Sequence, residues 1–319
     1  MNGKLTVIIP FLNEKEEVRN TVKSLRENSD EDFEIILIND CSTDGYDYKK
    51  VATDFNAQYI EHTQRMGVAA SRDEGVDECN TEFFLFLDAH MRVYQRDWVK
   101  LLVRELKKDK KTLLCAATLS LDKDANKTTD KLGFGACLDF SDLSAQWLTS
   151  DNKIPGKNII DIPCVLGASY SCNKQYWAHL EGLRGLKSYG LDEQFISIKV
   201  WLDGGRCRLI KNVTFGHIFR ETTPIPYENR PKDFLKNILL ITELFYSFEM
   251  KVKLLQQMRA IRGANFVSEV MGELVEDEEY SILDSKQRYI TRFPHTINHV
   301  IEINTPYLDI LNNDKKRPS

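Results

Sequence analysis

The sequence has no Cys-x-x-Cys pair, no basic excess, no internal repeat and no apolar run near the ~18 residues that a membrane helix needs. Each absence removes a class of function. Cys41, Cys79, Cys115, Cys137, Cys164, Cys172 and Cys207 stand singly and are odd in number, which disfavours a zinc clip or thiol exchange and favours reduced thiols. The 43 Lys+Arg against 48 Asp+Glu give a formal charge of -5, so nothing global draws the chain to a phosphate backbone. The first apolar run, Leu5 to Leu12, is too short for a signal peptide, and the expectation is a cytoplasmic protein for which peripheral membrane contact stays open. What is present is a globular composition: 42% hydrophobic and 29% charged residues over 319 positions, enough for a sizeable core. That length allows two domains or one large α/β domain with an extension.

The first part of the chain alternates short apolar runs with helical patterns. Strands are expected at Leu5 to Pro10, Phe33 to Ile38, Gln58 to Ile60 and Glu82 to Leu87. Helices are expected from a cap at Asn13 to Glu27, within Thr43 to Phe55, and over Val68 to Cys79. A helix from Trp98 to Lys108 and a strand from Leu113 to Leu119 follow. Residues 122–155 have weak periodicity and many polar residues, so loops bordering a binding cleft are expected there. Order returns at Ile162 to Cys172, with a helix over Leu191 to Leu202 and a strand over Cys207 to Ile210. Phe234 to Arg262 reads as one long helix, and a soft boundary is placed near Pro231.

Parallel sheets bind ligands beyond the carboxyl ends of their strands, so the polar residues there come first. The first strand ends in Pro10-Phe11-Leu12-Asn13-Glu14 and offers no glycine-rich basic loop of the kind a nucleotidylyltransferase would show. The second ends in Asn39-Asp40-Cys41-Ser42-Thr43-Asp44. Asn13 and Asp44 have an ordinary use as caps, whereas the Asp40 carboxylate directly after a buried strand can accept hydrogen bonds from a base or ribose. The fourth runs Phe83-Phe84-Leu85-Phe86-Leu87-Asp88-Ala89-His90. In extended chain, Asp88 and His90 would point to one side and present an oxygen and a nitrogen to one point. Such mixed ligands suit Mn²⁺ and tolerate Mg²⁺, but two residues do not define a site, and a helix cap with a loop histidine is the plain alternative.

Taken together with Arg65-Met66-Gly67 and Ser71-Arg72, these strand ends resemble the nucleotide-sugar half of family 2 glycosyltransferases of the GT-A fold. The Asp-x-His form is similar to that of the polypeptide N-acetylgalactosaminyltransferases, and the likeness continues downstream. Gly167-Ala168-Ser169, then Tyr189-Gly190-Leu191-Asp192-Glu193 through Trp201 to Gly204-Gly205, and Gly216-His217-Ile218-Phe219-Arg220 follow that family's succession. The resemblance spans about residues 4–240.

The resemblance implies an α/β GT-A fold with a mostly parallel central sheet flanked by helices and a C-terminal helical extension. It implies a catalytic domain over residues 1–230, divided into a nucleotide-sugar half at 1–120 and an acceptor half at 121–230, followed by an extension at 231–319. Asp40 matches the acidic residue that reads uracil, and Arg65 an arginine beside the uridine. Asp88, His90 and His217 match three Mn²⁺ ligands, and Arg220 an arginine on the diphosphate. Pro10, Asn13, Glu14, Arg72, Ala89, Gly167, Tyr189 and Gly190 complete the expected nucleotide-sugar site, with Asp192 and Glu193 at the reacting sugar. An acidic pair opening a helix also has a structural use against the helix dipole.

The expected function is metal-dependent transfer of a sugar from a UDP-sugar to an acceptor hydroxyl. The cofactor would be Mn²⁺ or Mg²⁺, and the acceptor a glycan or lipid-linked molecule. The same chemistry on a modified nucleic acid base and non-catalytic nucleotide-sugar binding are the alternatives. Tyr189 replaces the family's tryptophan, Leu191 its second glycine, and Ile225 falls where a tyrosine is expected, with Tyr227 nearby, so the sugar pocket departs from the pattern. The lectin domain and membrane anchor of the animal members are not expected here.

Overall fold

The apolar runs that open the chain form the middle of one sheet. The computed structural model describes residues 4–152, 154, 156–219 and 230–315. Its strands β1 (Thr6–Phe11), β2 (Glu34–Asn39), β3 (Gln58–Glu61) and β4 (Phe83–Leu87) lie in the order β3-β2-β1-β4, all parallel. They alternate with α1 (Glu16–Glu27), α2 (Tyr48–Asp54) and α3 (Val68–Glu78), and α4 (Trp98–Lys108) follows. β1 and β4 are buried throughout, because helices cover both faces of a parallel sheet, and this is why they read as continuous apolar runs. Val7 and Ile9 join the apolar cluster under α1 and α4, while Ile8 joins the cluster on the opposite face with Ala69 and Val76 of α3. α3 lies so close to β1 that a Cβ at Gly75 would collide with Ile8.

The later strands are β5 (Met91–Val93), β6 (Thr112–Leu121), β7 (Lys127–Leu138), β8 (Ala145–Thr149), β9 (Ile159–Asp161), β10 (Ser169–Asn173) and β11 (Arg206–Ile218). β10 runs antiparallel between β4 and β6, β11 lies parallel to β6, and β5 and β9 run antiparallel to β11. The parallel character expected of the sheet therefore belongs to its first half, and the second half is mixed. Three residues connect β4 to β5, far fewer than the dozen or so that a crossover between parallel neighbours requires.

Residues 122–155, expected as loops, instead carry β7 and β8, which extend the sheet from β6. The outer half of β7 is exposed and polar, so its sequence shows no alternation. The single helix expected over Phe234 to Arg262 is two: α7 (Pro231–Phe245) and α8 (Phe248–Arg262). The Ser247 hydroxyl caps α8 by accepting from the Met250 amide at 3.4 Å, a local break that the apolar period alone does not reveal.

α5 (Lys174–His179) and α6 (Asp192–Leu202) precede β11, and α9 (Ala264–Val275), α10 (Ile282–Arg292) and α11 (Ile297–Lys315) complete the helical end. Leu235, Ile238, Val267, Tyr289 and Val300 share one apolar cluster with Phe195 and Ile198 of α6 and with Ile8 of β1. Among the described residues, no helix is long and apolar enough to cross a membrane. All seven cysteines are free thiols.

Candidate functional site

The strand order 3-2-1-4 leaves a crevice where the carboxyl ends of β1 and β4 diverge, and the polar residues after both strands open into it. Asp88 follows β4, with its amide donating to the Ala168 carbonyl at 3.1 Å. The next residues turn rather than extend, so Asp88 and His90 meet through a turn and not through strand alternation. His217 arrives from β11, whose register sets it opposite Met91, the residue after His90. The Ile218 amide then donates to the His90 carbonyl at 3.1 Å, which fixes the two histidines side by side.

The result is a triad from three strand ends. The Nε2 atoms of His90 and His217 are 3.1 Å apart, and His217 Nε2 is 3.4 Å from Asp88 Oδ2. One donor atom from each of the three side chains lies within 4.8 Å of the others. Burial alone would raise the Asp88 carboxyl, but the hydrogen bond from His217 and the charge of Arg72 outweigh it and hold the group below its usual value. An ionised carboxylate with two imidazole nitrogens is a donor set that fits Mn²⁺ and accommodates Mg²⁺. Glu14 Oε2 lies 3.3 Å from His90 Nδ1, behind the ring.

Behind the triad sits Arg72, on α3 and only 2% exposed. Its guanidinium reaches Asp88 Oδ1 at 3.3 Å and donates to the Gly167 carbonyl at 2.9 Å and the Tyr170 hydroxyl at 3.3 Å. It also pairs with Asp192 at the start of α6. Its charge lies over the rings of Phe86 and Tyr170 at 5.4 and 5.2 Å from their centroids. Glu193, the next residue of α6, has its carboxyl against Gly167 and is pushed above its usual value, first by burial and further by the charge of Asp88.

Asp40 faces the same cavity from the end of β2. Its Oδ1 accepts from the Met66 amide at 2.7 Å and its Oδ2 from the Gly67 amide at 2.9 Å, so the carboxylate anchors the turn that carries Arg65. His62 Nδ1 is 2.8 Å from Asp40 Oδ1, and its Nε2 is 2.5 Å from Glu74 Oε2.

A cavity of about 360 Å³ joins these groups. Of the residues singled out in the sequence, Pro10, Glu14, Asp40, Arg65, Arg72, Asp88, Ala89, His90, Gly167, Tyr189, Asp192, Glu193 and His217 all line it. Asn13 does not line it and does not cap α1, whose cap position is Lys15. Its backbone has φ 57° and its Oδ1 accepts from the Thr43 amide at 2.7 Å, stitching the β1 loop to the β2 loop. Gly190 borders a neighbouring cavity instead. Arg220, Ile225 and Tyr227 lie outside the described residues.

Sequence reasoning missed Trp147 of β8, which lines the cavity edge-on to Phe219 at 5.4 Å between ring centroids. An aromatic inside a segment expected to border a cleft was the available signal. It also missed Asn237 of α7. Asn237 is fully buried, accepts from the Lys187 amide at 2.8 Å, and donates to the carbonyls of Lys187 and Gly190 at 2.9 and 3.1 Å. Asp233 accepts from the Ser188 hydroxyl, and the Val68 amide of α3 donates to the Ser188 carbonyl at 3.0 Å. The loop presenting Tyr189 is thus clamped from two helices.

Residues 6–165 match the family model described as glycosyl transferase family 2. Human polypeptide N-acetylgalactosaminyltransferase 14 is 25% identical over 255 residues, 75% of this chain and 45% of its own length. Mouse polypeptide N-acetylgalactosaminyltransferase 5 is 27% identical over 227 residues, 66% of this chain and 24% of its own length. The chain therefore spans less than half the length of these curated relatives. Among solved structures, GalNAc-T7 with UDP, GalNAc and Mn²⁺ superposes with a TM-score of 0.67 at 21% identity, over 91% of this chain and 58% of that one. S. aureus TarS 1-349 in complex with UDP-GlcNAc gives a TM-score of 0.55 at 12% identity, over 96% of this chain and 92% of that one. The shared fold is GT-A.

Proposed function

Because the chain belongs to glycosyl transferase family 2, we propose that it moves a sugar from a UDP-sugar to an acceptor hydroxyl, with residues 1–230 as the catalytic unit. The observation that carries this reading is the convergence of Asp88, His90 and His217 on the cavity that also holds Arg72, Asp192 and Glu193. Glycosyl transfer breaks the bond between the anomeric carbon and the diphosphate oxygen, and the electron pair leaves with UDP. The new bond forms to the acceptor oxygen, whose proton must find a base.

Asp88, His90 and His217 would hold a divalent cation, Mn²⁺ or Mg²⁺, and such an ion neutralises charge developing on the leaving diphosphate. Arg72 keeps Asp88 ionised and aimed, and it holds Asp192 at the same time. Glu193 is the group suited to take a proton, because burial raises its affinity for one above the ordinary carboxylate value. Asp40, with the Met66 and Gly67 amides and His62 already on it, retains one lone pair on Oδ2 for the base of the nucleotide. The names of the relatives, and UDP-GlcNAc bound by TarS, favour an N-acetylhexosamine as the sugar.

Titration calorimetry with UDP in the presence and absence of Mn²⁺ tests the site. Metal-dependent UDP binding is expected in the unaltered protein and absent in Asp88→Ala and His217→Ala. Binding that survives both substitutions refutes the assignment. Hydrolysis of a panel of UDP-sugars then identifies the donor.

A further inference from the structure

A second cavity, of about 380 Å³, adjoins the first and shares Tyr189, Asp192 and Glu193 with it. Its far wall is made by the helical end of the chain: Phe234 and Ile238 of α7 with Met258 and Ile261 of α8. Those four side chains are apolar, and Phe234 lies so close to Gly190 that a Cβ there would come within 2.8 Å of its ring. This volume is within the range that holds a small organic ligand, roughly 300–1,000 Å³.

Four charged side chains line this cavity: Asp142, Asp192, Glu193 and Arg262. Asp192 is paired with Arg72. Asp142 turns its Oδ1 to the Ser144 amide at 2.8 Å, within its own loop. Arg262, at the end of α8, lines the cavity, is exposed, and forms no ion pair among the described residues. An occupant reaching from Glu193 to Arg262 therefore meets a polar reacting group, an apolar wall and a cation in succession.

We propose that the second cavity receives the acceptor, and that the acceptor is an amphipathic alcohol with its hydroxyl at Glu193, an aryl or alkyl body against α7 and α8, and an anionic group at Arg262. This rests on the glycosyltransferase reading and adds to it the chemical class of the second substrate. A site with an apolar wall of Phe234, Ile238, Met258 and Ile261 and a cation beside it selects against free sugars, whose hydroxyls would lose water to a wall that returns no hydrogen bonds.

6-Hydroxynaphthalene-2-sulfonate carries all three features and is fluorescent, and 2-naphthol lacks only the anion. Both are titrated into the full chain with UDP and Mn²⁺ present. The expected result is saturable binding of the sulfonate, with 2-naphthol about tenfold weaker. Arg262→Glu should abolish that preference, and Ile261→Glu should weaken both probes about tenfold. Ile261 is 63% exposed, so neither substitution threatens the core. Calorimetry with UDP and Mn²⁺ on the same samples separates the two levels of the argument. Intact UDP binding with no saturable sulfonate binding, or with sulfonate binding equal in all three proteins, overturns the acceptor assignment alone. Loss of UDP binding in the unaltered protein overturns the donor reading, and the acceptor assignment with it.

Discussion

Arg72 and Asp192 stand 120 positions apart and form an ion pair inside the protein, joining α3 to the first turn of α6. The same guanidinium holds Asp88, so one buried cation fixes the distance between the triad and the acidic pair Asp192–Glu193. Removing one partner of a buried pair leaves a charge with no water to solvate it. Arg72→Ala should cost about 3–5 kcal/mol. Arg72→Lys retains charge but not the fork that reaches Asp88, Asp192 and the Gly167 carbonyl at once, so it should fold and still lose metal-dependent UDP binding. Thermal melts with calorimetry on both variants check this. A lysine variant that binds UDP and Mn²⁺ normally shows that Arg72 serves the fold alone.

Protonation of His62 is linked to the turn that carries Arg65. Burial opposes a charge on this imidazole, but hydrogen bonds to Asp40 and Glu74 on either side outweigh it and raise its affinity for a proton above the ordinary value. The sign follows from linkage. A value raised in the folded state stabilises fully below the unfolded value, about 6.5, and that contribution is lost as pH rises through the folded value. Melting temperature should therefore fall between about pH 6 and pH 9 by more in the unaltered protein than in His62→Gln. Parallel curves for the two proteins would show that His62 carries no charge at the lower pH.

How far the sequence discloses this architecture depends on where the determining contacts lie. α4 matches its expected span, Trp98 to Lys108, because an apolar stripe at helical spacing records burial locally. β1 and β4 are legible because both faces are covered and every residue had to be apolar. β7 is not, since its polar outer half is held by β6 across a hairpin. At the site, Asp88 and His90 stand out by their place after a buried strand, yet His217 joins them only through the pairing of β11 with β5, which no local pattern encodes. Its motif resemblance, not its spacing, brought it in. Asn237 had no such help: an asparagine within a helix gives no sign that it will seal a loop 50 positions away.

Gly67 opens α3 with φ 92°, and a Cβ there would lie 2.5 Å from the Ser188 carbonyl oxygen and 2.7 Å from its Cα. Both neighbouring atoms are backbone and cannot swing aside. Gly45 has a similar φ of 74° with open space around it. Gly45→Ala should therefore pay only the conformational strain, about 1–3 kcal/mol, while Gly67→Ala adds a collision and should cost clearly more. Gly67→Ala should also weaken UDP binding, because the Gly67 amide is held by Asp40. Denaturant unfolding of the two variants compares them directly, and equal losses would refute the close approach of α3 to the Ser188 loop.

The clamp on the Tyr189 loop offers the sharpest separation of support from chemistry. Asn237 presents one acceptor and two donor bonds to backbone groups at positions 187 and 190, and its own side chain is shielded from water. Asn237→Leu fills similar space and strands these groups, at about 1–3 kcal/mol for each one left without a partner. Asn237→Asp keeps the acceptor for the Lys187 amide but turns the donor end into a repelling oxygen against two carbonyls. Both variants should lose stability, and both should bind UDP more weakly than their melting temperatures alone explain, since Tyr189 lines the first cavity from the clamped segment. Calorimetry well below the melting temperature of each variant reads that second loss. UDP affinity unchanged in a destabilised Asn237→Leu protein would show that α7 props the fold without shaping the cavity.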